Sequence, residues 1–240
     1  MFDQVKARVF ELLKGDSSGH GLDHVIRVFD LAMKFADAEE DGKGPVDKVV
    51  VGLAALLHDV DDYKIFGKVY SENLINAKAV MDALDVDEKT RKKVLDIIGN
   101  MGFSKYLTGV RPISLEGKIV SDADMCDAIG ASGIIRSVVY AVSSKGNGII
   151  FDKDVFPNVA ITVEEYSGNG TKTTHDTDSA INHFFEKMLK LRNLMMTKAG
   201  RQESEERQRI MVDFLRHFFK EENVPVWEQF LEDFLDLHTG

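Results

Sequence analysis

The run V-V-V-G-L-A-A-L-L at residues 49–57 is the longest apolar stretch of the chain, and the polar pair His58 and Asp59 follows it directly. The run is much shorter than the roughly 20 residues that a membrane span needs, so it predicts a helix buried in a protein core. An ionised carboxylate beside such a helix costs several kcal/mol unless a positive group pairs with it. Asp59 therefore needs a partner, and a metal ion would supply one.

Apolar residues elsewhere follow the i, i+3, i+4 spacing of amphipathic helices. This spacing predicts helices over residues 22–40, 46–59, 72–85, 88–101 and 115–130. Between residues 143 and 178, glycines and the stretch V-A-I-T-V break the pattern, which predicts a long loop with a short hairpin around S-G-N-G.

Beyond this loop, Asp178 or Ser179 can cap a helix that runs to about Lys198 and that Gly200 ends. Two further helices follow, the last of them starting at Pro225. We therefore predict an all-α helical bundle in three segments. These are a metal-binding core over 1–142, a loop or hairpin insertion over 143–178, and C-terminal helices over 179–240 that pack on the same domain.

The composition is that of a globular protein, with 44% hydrophobic and 29% charged residues among 240. A single cysteine, Cys126, cannot form an internal disulfide, which fits a reducing compartment and predicts a cytoplasmic location. The N-terminus lacks the pattern of a signal peptide, and we expect no membrane partner. A net charge of −10 argues against nucleic acid as a partner, whereas a small anionic ligand fits if a metal supplies local positive charge.

The spacing of His58 and Asp59 limits how they can bind a metal. Neighbouring residues on a helix point about 100° apart, so the pair can share one cation only from the end of the helix, with other helices supplying further ligands. Two other motifs offer such ligands: H-G-L-D-H at 20–24 and D-A-D-M-C-D at 122–127. Imidazoles with carboxylates suit Mn²⁺, Fe²⁺, Mg²⁺ or Co²⁺ better than structural zinc, for which thiolates are missing.

Helical periodicity alone does not select one carboxylate from the second motif. Asp124 and Asp127 lie about 60° apart around a helix, whereas Asp122 points about 160° away from Asp124. All three aspartates therefore remain candidates on spacing.

Taken in order, these motifs resemble the HD phosphohydrolase superfamily, whose signature is a histidine, a His-Asp pair and a distant aspartate. The resemblance is carried by H-G-L-D-H-V-I-R-V, A-A-L-L-H-D-V-D-D-Y-K and L-E-G-K-I-V-S-D-A-D-M-C-D-A-I-G. Two later segments are similar to a bacterial and fungal branch of the superfamily that contains nucleotide pyrophosphohydrolases. These segments are S-A-I-N-H-F-F-E-K-M-L-K-L-R-N-L-M and T-K-A-G-R. The resemblance implies one divalent metal ion with four ligands: His24, His58, Asp59 and Asp124. Asp122 is the alternative fourth ligand, and Asp127 is an outer partner that would orient a ligand.

The resemblance also implies roles in catalysis and substrate binding. Asp62 occupies the position of a catalytic carboxylate in related nucleotidases, and His20 lies one turn before His24, so either is a candidate for proton transfer. An exposed acidic turn and a loop histidine are the alternative interpretations. Four basic residues are candidates for contacts with phosphate oxygens, although each is equally an ordinary surface residue: Lys64, Arg27, Lys187 and Arg201.

The implied substrate is a nucleotide or a similar phosphate ester or anhydride, with pyrophosphate release from nucleoside triphosphates as the leading option. The alternatives are a phosphomonoesterase, a cyclic-nucleotide phosphodiesterase and a non-catalytic metal-binding helical module. A homodimer is compatible with each of these functions. Two departures from the superfamily matter. The common D-A-D-R-L-D-A reads D-A-D-M-C-D-A here and leaves no basic residue beside Asp124, and the Gly-rich segment 143–178 does not match the family and is a candidate for substrate selection.

Overall fold

The computed structural model describes residues 1–14, 21–143, 148–160 and 179–238, apart from the side chains of residues 41–43 and 64. Within these ranges the chain is helical without a strand, which confirms the predicted all-α class. A 3₁₀ helix spans Met188–Leu194. The α-helices are α1 Phe2–Leu13, α2 Leu22–Lys43, α3 Lys48–Leu57, α4 Tyr63–Phe66, α5 Lys68–Asn73, α6 Ile75–Asp82, α7 Glu88–Asn100, α8 Phe103–Leu107, α9 Leu115–Asp127, α10 Gly130–Val142, α11 Ala180–Glu186, α12 Lys198–Glu221 and α13 Pro225–His238.

The chain forms two compact units. The first contains Met1–Asp124 and Met196–Gly200, and the second contains Met125–Met195 and Arg201–Gly240. The three segments predicted from the sequence have other boundaries and stay a prediction. Among the described helices, none is by itself long and apolar enough to span a membrane, and only the bent pair α9 and α10 has the length and composition when taken together.

Helix α3 lies at the centre of the first unit, where it packs against α1, α2 and α7. Asp47 caps its N-terminus by accepting a hydrogen bond from the Val50 amide at 3.2 Å. Every residue from Val50 to Leu57 is buried, as the apolar run predicts. Close packing on all sides fixes the C-terminal end of α3, where His58 and Asp59 follow.

Leu56→Ala should lower the free energy of unfolding by about 3 kcal/mol, because it removes a large part of a buried side chain and leaves a cavity. Leu56 is fully buried, whereas Val49, on the same helix, is 41% exposed. Val49→Ala is therefore the matched control, with an expected loss below about 1 kcal/mol. Urea unfolding followed by circular dichroism measures both losses, and equal losses would contradict the central position of α3.

Aromatic side chains form much of the core of the second unit. Trp227 is almost completely buried, and the ring of Phe156 stacks on it at 4.5 Å. The indole Nε1 of Trp227 donates a hydrogen bond to the Lys153 carbonyl oxygen at 2.9 Å. Residues 148–160, part of the predicted long loop, thus pack on this core without a helix or strand. The hairpin predicted around S-G-N-G lies outside the described residues.

The helix predicted from Ser179 to about Lys198, with Gly200 as its end, is wrong in its extent. Ser179 does cap a helix, since its hydroxyl oxygen accepts a hydrogen bond from the Asn182 amide at 3.0 Å. However, α11 already ends at Glu186, and α12 begins at Lys198 and continues through Gly200.

A contact with a distant residue explains where α12 begins. The Asp122 carboxylate accepts hydrogen bonds from the backbone amides of Met196 at 3.0 Å and Thr197 at 2.7 Å. These contacts fix the start of α12, where amides have no partner within the helix. Gly200 permits the approach, because a Cβ there would lie 2.7 Å from the Cβ of Asp122.

Candidate metal centre

His24 lies in the first turn of α2, where its amide donates to the Gly21 carbonyl oxygen at 3.0 Å. Only 3% of the residue is exposed, and its neighbours Val25 and Val28 are completely buried. Packing of this apolar face fixes the start of α2 and holds the imidazole of His24 inside the first unit.

His58 follows the last residue of α3 and keeps helical backbone angles, with φ −64° and ψ −32°. Its Nδ1 lies 2.8 Å from the Ala55 carbonyl oxygen. A carbonyl oxygen can only accept, so Nδ1 is the protonated nitrogen and donates this bond. In the neutral ring, Nε2 then carries a lone pair that can bind a cation, with the ring orientation fixed by the backbone.

Four side chains of the first unit lie close together, and we call them the donor cluster: His24, His58, Asp59 and Asp124. His24, His58 and Asp124 offer ligand atoms that all lie within 4.8 Å of one another, and Asp59 contacts both histidines. The Nε2 atoms of the two histidines are 3.2 Å apart. Asp59 Oδ2 lies 3.4 Å from Nε2 of His24 and 3.5 Å from Nε2 of His58. Asp124 Oδ1 lies 3.5 Å and 3.7 Å from the same two nitrogens.

The spacing in the donor cluster fits one cation. Ligand atoms bound to one ion at about 2.0–2.2 Å lie roughly 2.8–3.6 Å from their neighbours around the ion. The two histidine nitrogens here lie 3.2 Å from each other and 3.4 to 3.7 Å from the carboxylate oxygens. The charge of Asp59 disfavours ionisation of Asp124, and a divalent cation offsets this repulsion. The donor set of two imidazole nitrogens and two carboxylate oxygens therefore suits a divalent metal ion.

The histidines also control the ionisation of Asp124. Without a metal, burial by itself raises the pKa of the Asp124 carboxyl, but a hydrogen bond from His24 and the positive charges of protonated His58 and His24 outweigh burial. The pKa of Asp124 is therefore lowered from its ordinary value, so the carboxylate is ionised before a cation replaces the protons of the histidines.

The other two aspartates of the D-A-D-M-C-D motif make different contacts. Asp122 is completely buried, and its carboxylate accepts hydrogen bonds from the Thr197 amide and hydroxyl, both at 2.7 Å. Asp127 forms an ion pair with Arg136 at 2.9 Å. Asp124 is the aspartate that the structure brings into the donor cluster.

Asp61 supports the H-D-V-D-D turn and was not indicated by the sequence pattern. It is 2% exposed, and its two carboxylate oxygens accept hydrogen bonds from the amides of Asn76 at 2.8 Å and Ala77 at 2.9 Å. The Asn76 side chain donates to the Val60 carbonyl oxygen at 2.7 Å. Burial raises the pKa of Asp61, although these amides at the start of α6 favour its ionised form. The motif H-D-V-D-D holds three aspartates within five residues, and their spacing does not indicate that Asp61 is the one whose side chain is buried.

The predicted catalytic residues are placed only in part. Asp62 is half-buried, and its amide donates to the Asp59 carbonyl oxygen at 3.1 Å, so it belongs to a turn and not to a continued helix. His20 lies outside the described residues. Arg27 lies on α2 and is half-buried, and Lys64 lies on α4 with its side chain undescribed.

The other two predicted phosphate contacts belong to the second unit. Lys187 follows α11 and is half-buried. Arg201 is exposed, and its Nη1 donates to the Met195 carbonyl oxygen at 3.0 Å. The roles of both residues in substrate binding stay predictions.

Comparisons with known proteins agree with this geometry. The HD domain family matches residues 21–129, a range that contains the whole donor cluster. The uncharacterised protein YpgQ of Bacillus subtilis (strain 168) is 33% identical over 223 residues, which cover 91% of this chain and 92% of YpgQ.

Solved structures show the same relationship. A Lactobacillus plantarum protein has a TM-score of 0.75 and 32% identity, covering 92% of this chain and 96% of that one. An HD-superfamily hydrolase from Bacillus thuringiensis has a TM-score of 0.66 and 32% identity, covering 93% and 97%. YpgQ in complex with ADP has a TM-score of 0.61 and 28% identity, covering 92% and 97%. The chain therefore belongs to the HD superfamily.

Proposed function

We propose that this protein is a metal-dependent phosphohydrolase acting on a nucleotide or a similar phosphate ester or anhydride. The leading reaction is the release of pyrophosphate from a nucleoside triphosphate. The observation that carries the proposal is the donor cluster, in which two imidazole nitrogens lie 3.2 Å apart and each lies 3.4 to 3.7 Å from an oxygen of both carboxylates.

The donor cluster would hold one Mn²⁺, Fe²⁺, Mg²⁺ or Co²⁺ ion. When bound, such an ion supplies Lewis acidity and positive charge for a phosphate group. The hydrogen bond from His58 Nδ1 to Ala55 orients the imidazole for this role before any ligand arrives. Because the chain carries a net charge of −10, local positive charge is needed for an anionic substrate to bind.

The remaining residues would move protons and bind phosphate. Asp62, in the turn that begins with Asp59, is the proposed proton donor or acceptor, and His20 is the second candidate. Four basic side chains would bind phosphate oxygens: Arg27, Lys64, Lys187 and Arg201. Support for a nucleotide substrate comes from YpgQ, whose structure was solved in complex with ADP.

A substrate panel tests the proposal. Protein freed of metal with a chelator and then loaded with Mn²⁺ is incubated with nucleoside triphosphates, nucleoside monophosphates, cyclic nucleotides and simple phosphate esters. We expect a nucleoside monophosphate and pyrophosphate as products, and no turnover without added metal.

Other products would support the alternative reactions. Inorganic phosphate from monoesters would indicate a phosphomonoesterase, and opening of a cyclic phosphate would indicate a phosphodiesterase. Tight Mn²⁺ binding without turnover of any compound would contradict an enzymatic role and indicate a metal-binding module.

A further inference from the structure

The contacts of Asp122 at the start of α12 form a compact buried network. Its carboxylate accepts hydrogen bonds from the Met196 amide at 3.0 Å, the Thr197 amide at 2.7 Å and the Thr197 hydroxyl at 2.7 Å. The Thr197 hydroxyl oxygen in turn accepts from the Gly200 amide at 2.9 Å. Asp122 and Thr197 are both completely buried.

This network holds Asp122 in one position. A buried carboxylate is stabilised by hydrogen bonds from amides at the start of a helix, and such charge-assisted bonds are short and directional. Gly200 also lies close against the carboxylate, since a Cβ on Gly200 would lie 2.8 Å from Asp122 Cγ. A shift of Asp122 would therefore break several hydrogen bonds, and a shift toward Gly200 is blocked by its backbone.

Asp122 lies two residues before Asp124 on α9, so their side chains leave the helix about 160° apart. One side of α9 is thus fixed by Thr197, while the other presents Asp124 Oδ1 at 3.5 Å from His24 Nε2. Any rotation of α9 that displaced Asp124 would have to break the hydrogen bonds of Asp122.

The same segment also contacts the helix that carries His24. The Ala199 amide donates to Glu39 Oε1 at 2.9 Å, and Glu39 is a buried residue of α2. Residues Met196–Gly200 are therefore bonded to two of the elements that supply the donor cluster, α2 and α9.

We propose that Asp122, held by Thr197, is a positioning residue that sets the place of Asp124 and thereby the affinity of the donor cluster for its cation. This inference rests on the metal site of the proposed function. The loss of an outer partner of a metal ligand typically weakens metal binding by about 10- to 100-fold.

Substitutions of Thr197 test the proposal without changing the charge near the cluster. Thr197→Val keeps the shape but removes the hydroxyl, and we expect it to weaken Mn²⁺ binding about tenfold. Thr197→Ser keeps the hydroxyl, and its Mn²⁺ affinity should stay within about twofold of the wild-type value. Both affinities are measured by titrating the metal-free full chain with Mn²⁺ and recording the electron paramagnetic resonance signal of the ion. The titration is done at a temperature well below the melting temperature of each variant.

Two further variants separate positioning from general stability. Gly200→Ala should also weaken Mn²⁺ binding, because the added Cβ would displace the Asp122 carboxylate. Asp87→Ala removes the side chain that caps α7 through the Thr90 amide at 3.1 Å, so it should lower the melting temperature but leave Mn²⁺ affinity unchanged.

The outcomes separate this inference from the proposed function. Equal Mn²⁺ affinity in wild type and Thr197→Val would overturn the inference alone, as would equal losses in Thr197→Val and Thr197→Ser. A wild-type protein that binds no Mn²⁺ would contradict both. A loss in Thr197→Val with recovery in Thr197→Ser supports the positioning role.

Discussion

His58→Ala is expected to abolish Mn²⁺ binding and to reduce phosphate hydrolysis by about 10³-fold or more, since the charge stabilisation at the substrate is lost with the metal. The substitution removes an Nε2 atom that lies 3.2 Å from its counterpart on His24 and 3.5 Å from Asp59 Oδ2. Without it, the two carboxylates and one imidazole that remain leave the site one ligand short, which is too few to hold the ion at the Mn²⁺ concentrations of the titration.

Metal titration and thermal unfolding both measure this effect. Mn²⁺ should raise the melting temperature of the wild-type protein, because an ion that binds only the folded state stabilises it, and should leave that of His58→Ala unchanged. His217→Ala is the matched control, because the Nδ1 of His217 also bonds a backbone carbonyl, that of Asp213 at 2.7 Å, on an exposed surface of the second unit. If His58→Ala bound Mn²⁺ as the wild type does, the donor cluster would not be the metal site.

The elements around this site could be predicted where the signal is local. The apolar run of α3 indicates a buried helix, and a helix that ends at Leu57 must present His58 and Asp59 together at its end. The amphipathic spacing of α2 likewise places His24 beside buried valines. Each inference depends on residues within a few turns of the side chain concerned.

The choice between Asp122 and Asp124 is not local. Periodicity shows that the two side chains leave α9 in nearly opposite directions, but not which direction leads to the histidines. That depends on Thr197, which is 75 residues from Asp122 in the chain and bonds its carboxylate. The hydrophobic pattern does not reveal such a pairing.

The same contact explains why the extent of the C-terminal helices was predicted wrongly. Glycine in a helical pattern commonly indicates the end of a helix, so the pattern around Gly200 predicts a break there. In the structure, Gly200 lies within α12 because the Asp122 carboxylate needs the space that a Cβ would fill. A glycine required for close approach and a glycine that ends a helix look alike in a single sequence.

Asp62→Asn should separate catalysis from metal binding. Asp62 belongs to the turn that carries Asp59, because the Asp62 amide lies 3.1 Å from the Asp59 carbonyl oxygen. The carboxylate of Asp62 is not part of the donor cluster. If it transfers a proton, the asparagine variant should lose about 10² to 10⁴-fold in kcat. Mn²⁺ affinity should change by less than about tenfold, because only one nearby charge is removed.

Asp23→Asn is the matched control for this variant, since Asp23 is an exposed aspartate directly beside His24 and its loss changes the charge near the site by the same amount. We expect Asp23→Asn to keep nearly full kcat, so that a fall confined to Asp62→Asn reflects the chemistry of that carboxyl group. Steady-state kinetics with saturating Mn²⁺ and the best substrate of the panel measures kcat for both. Equal kcat values in the two variants would assign Asp62 to the acidic turn alone and leave His20 as the proposed proton-transfer group.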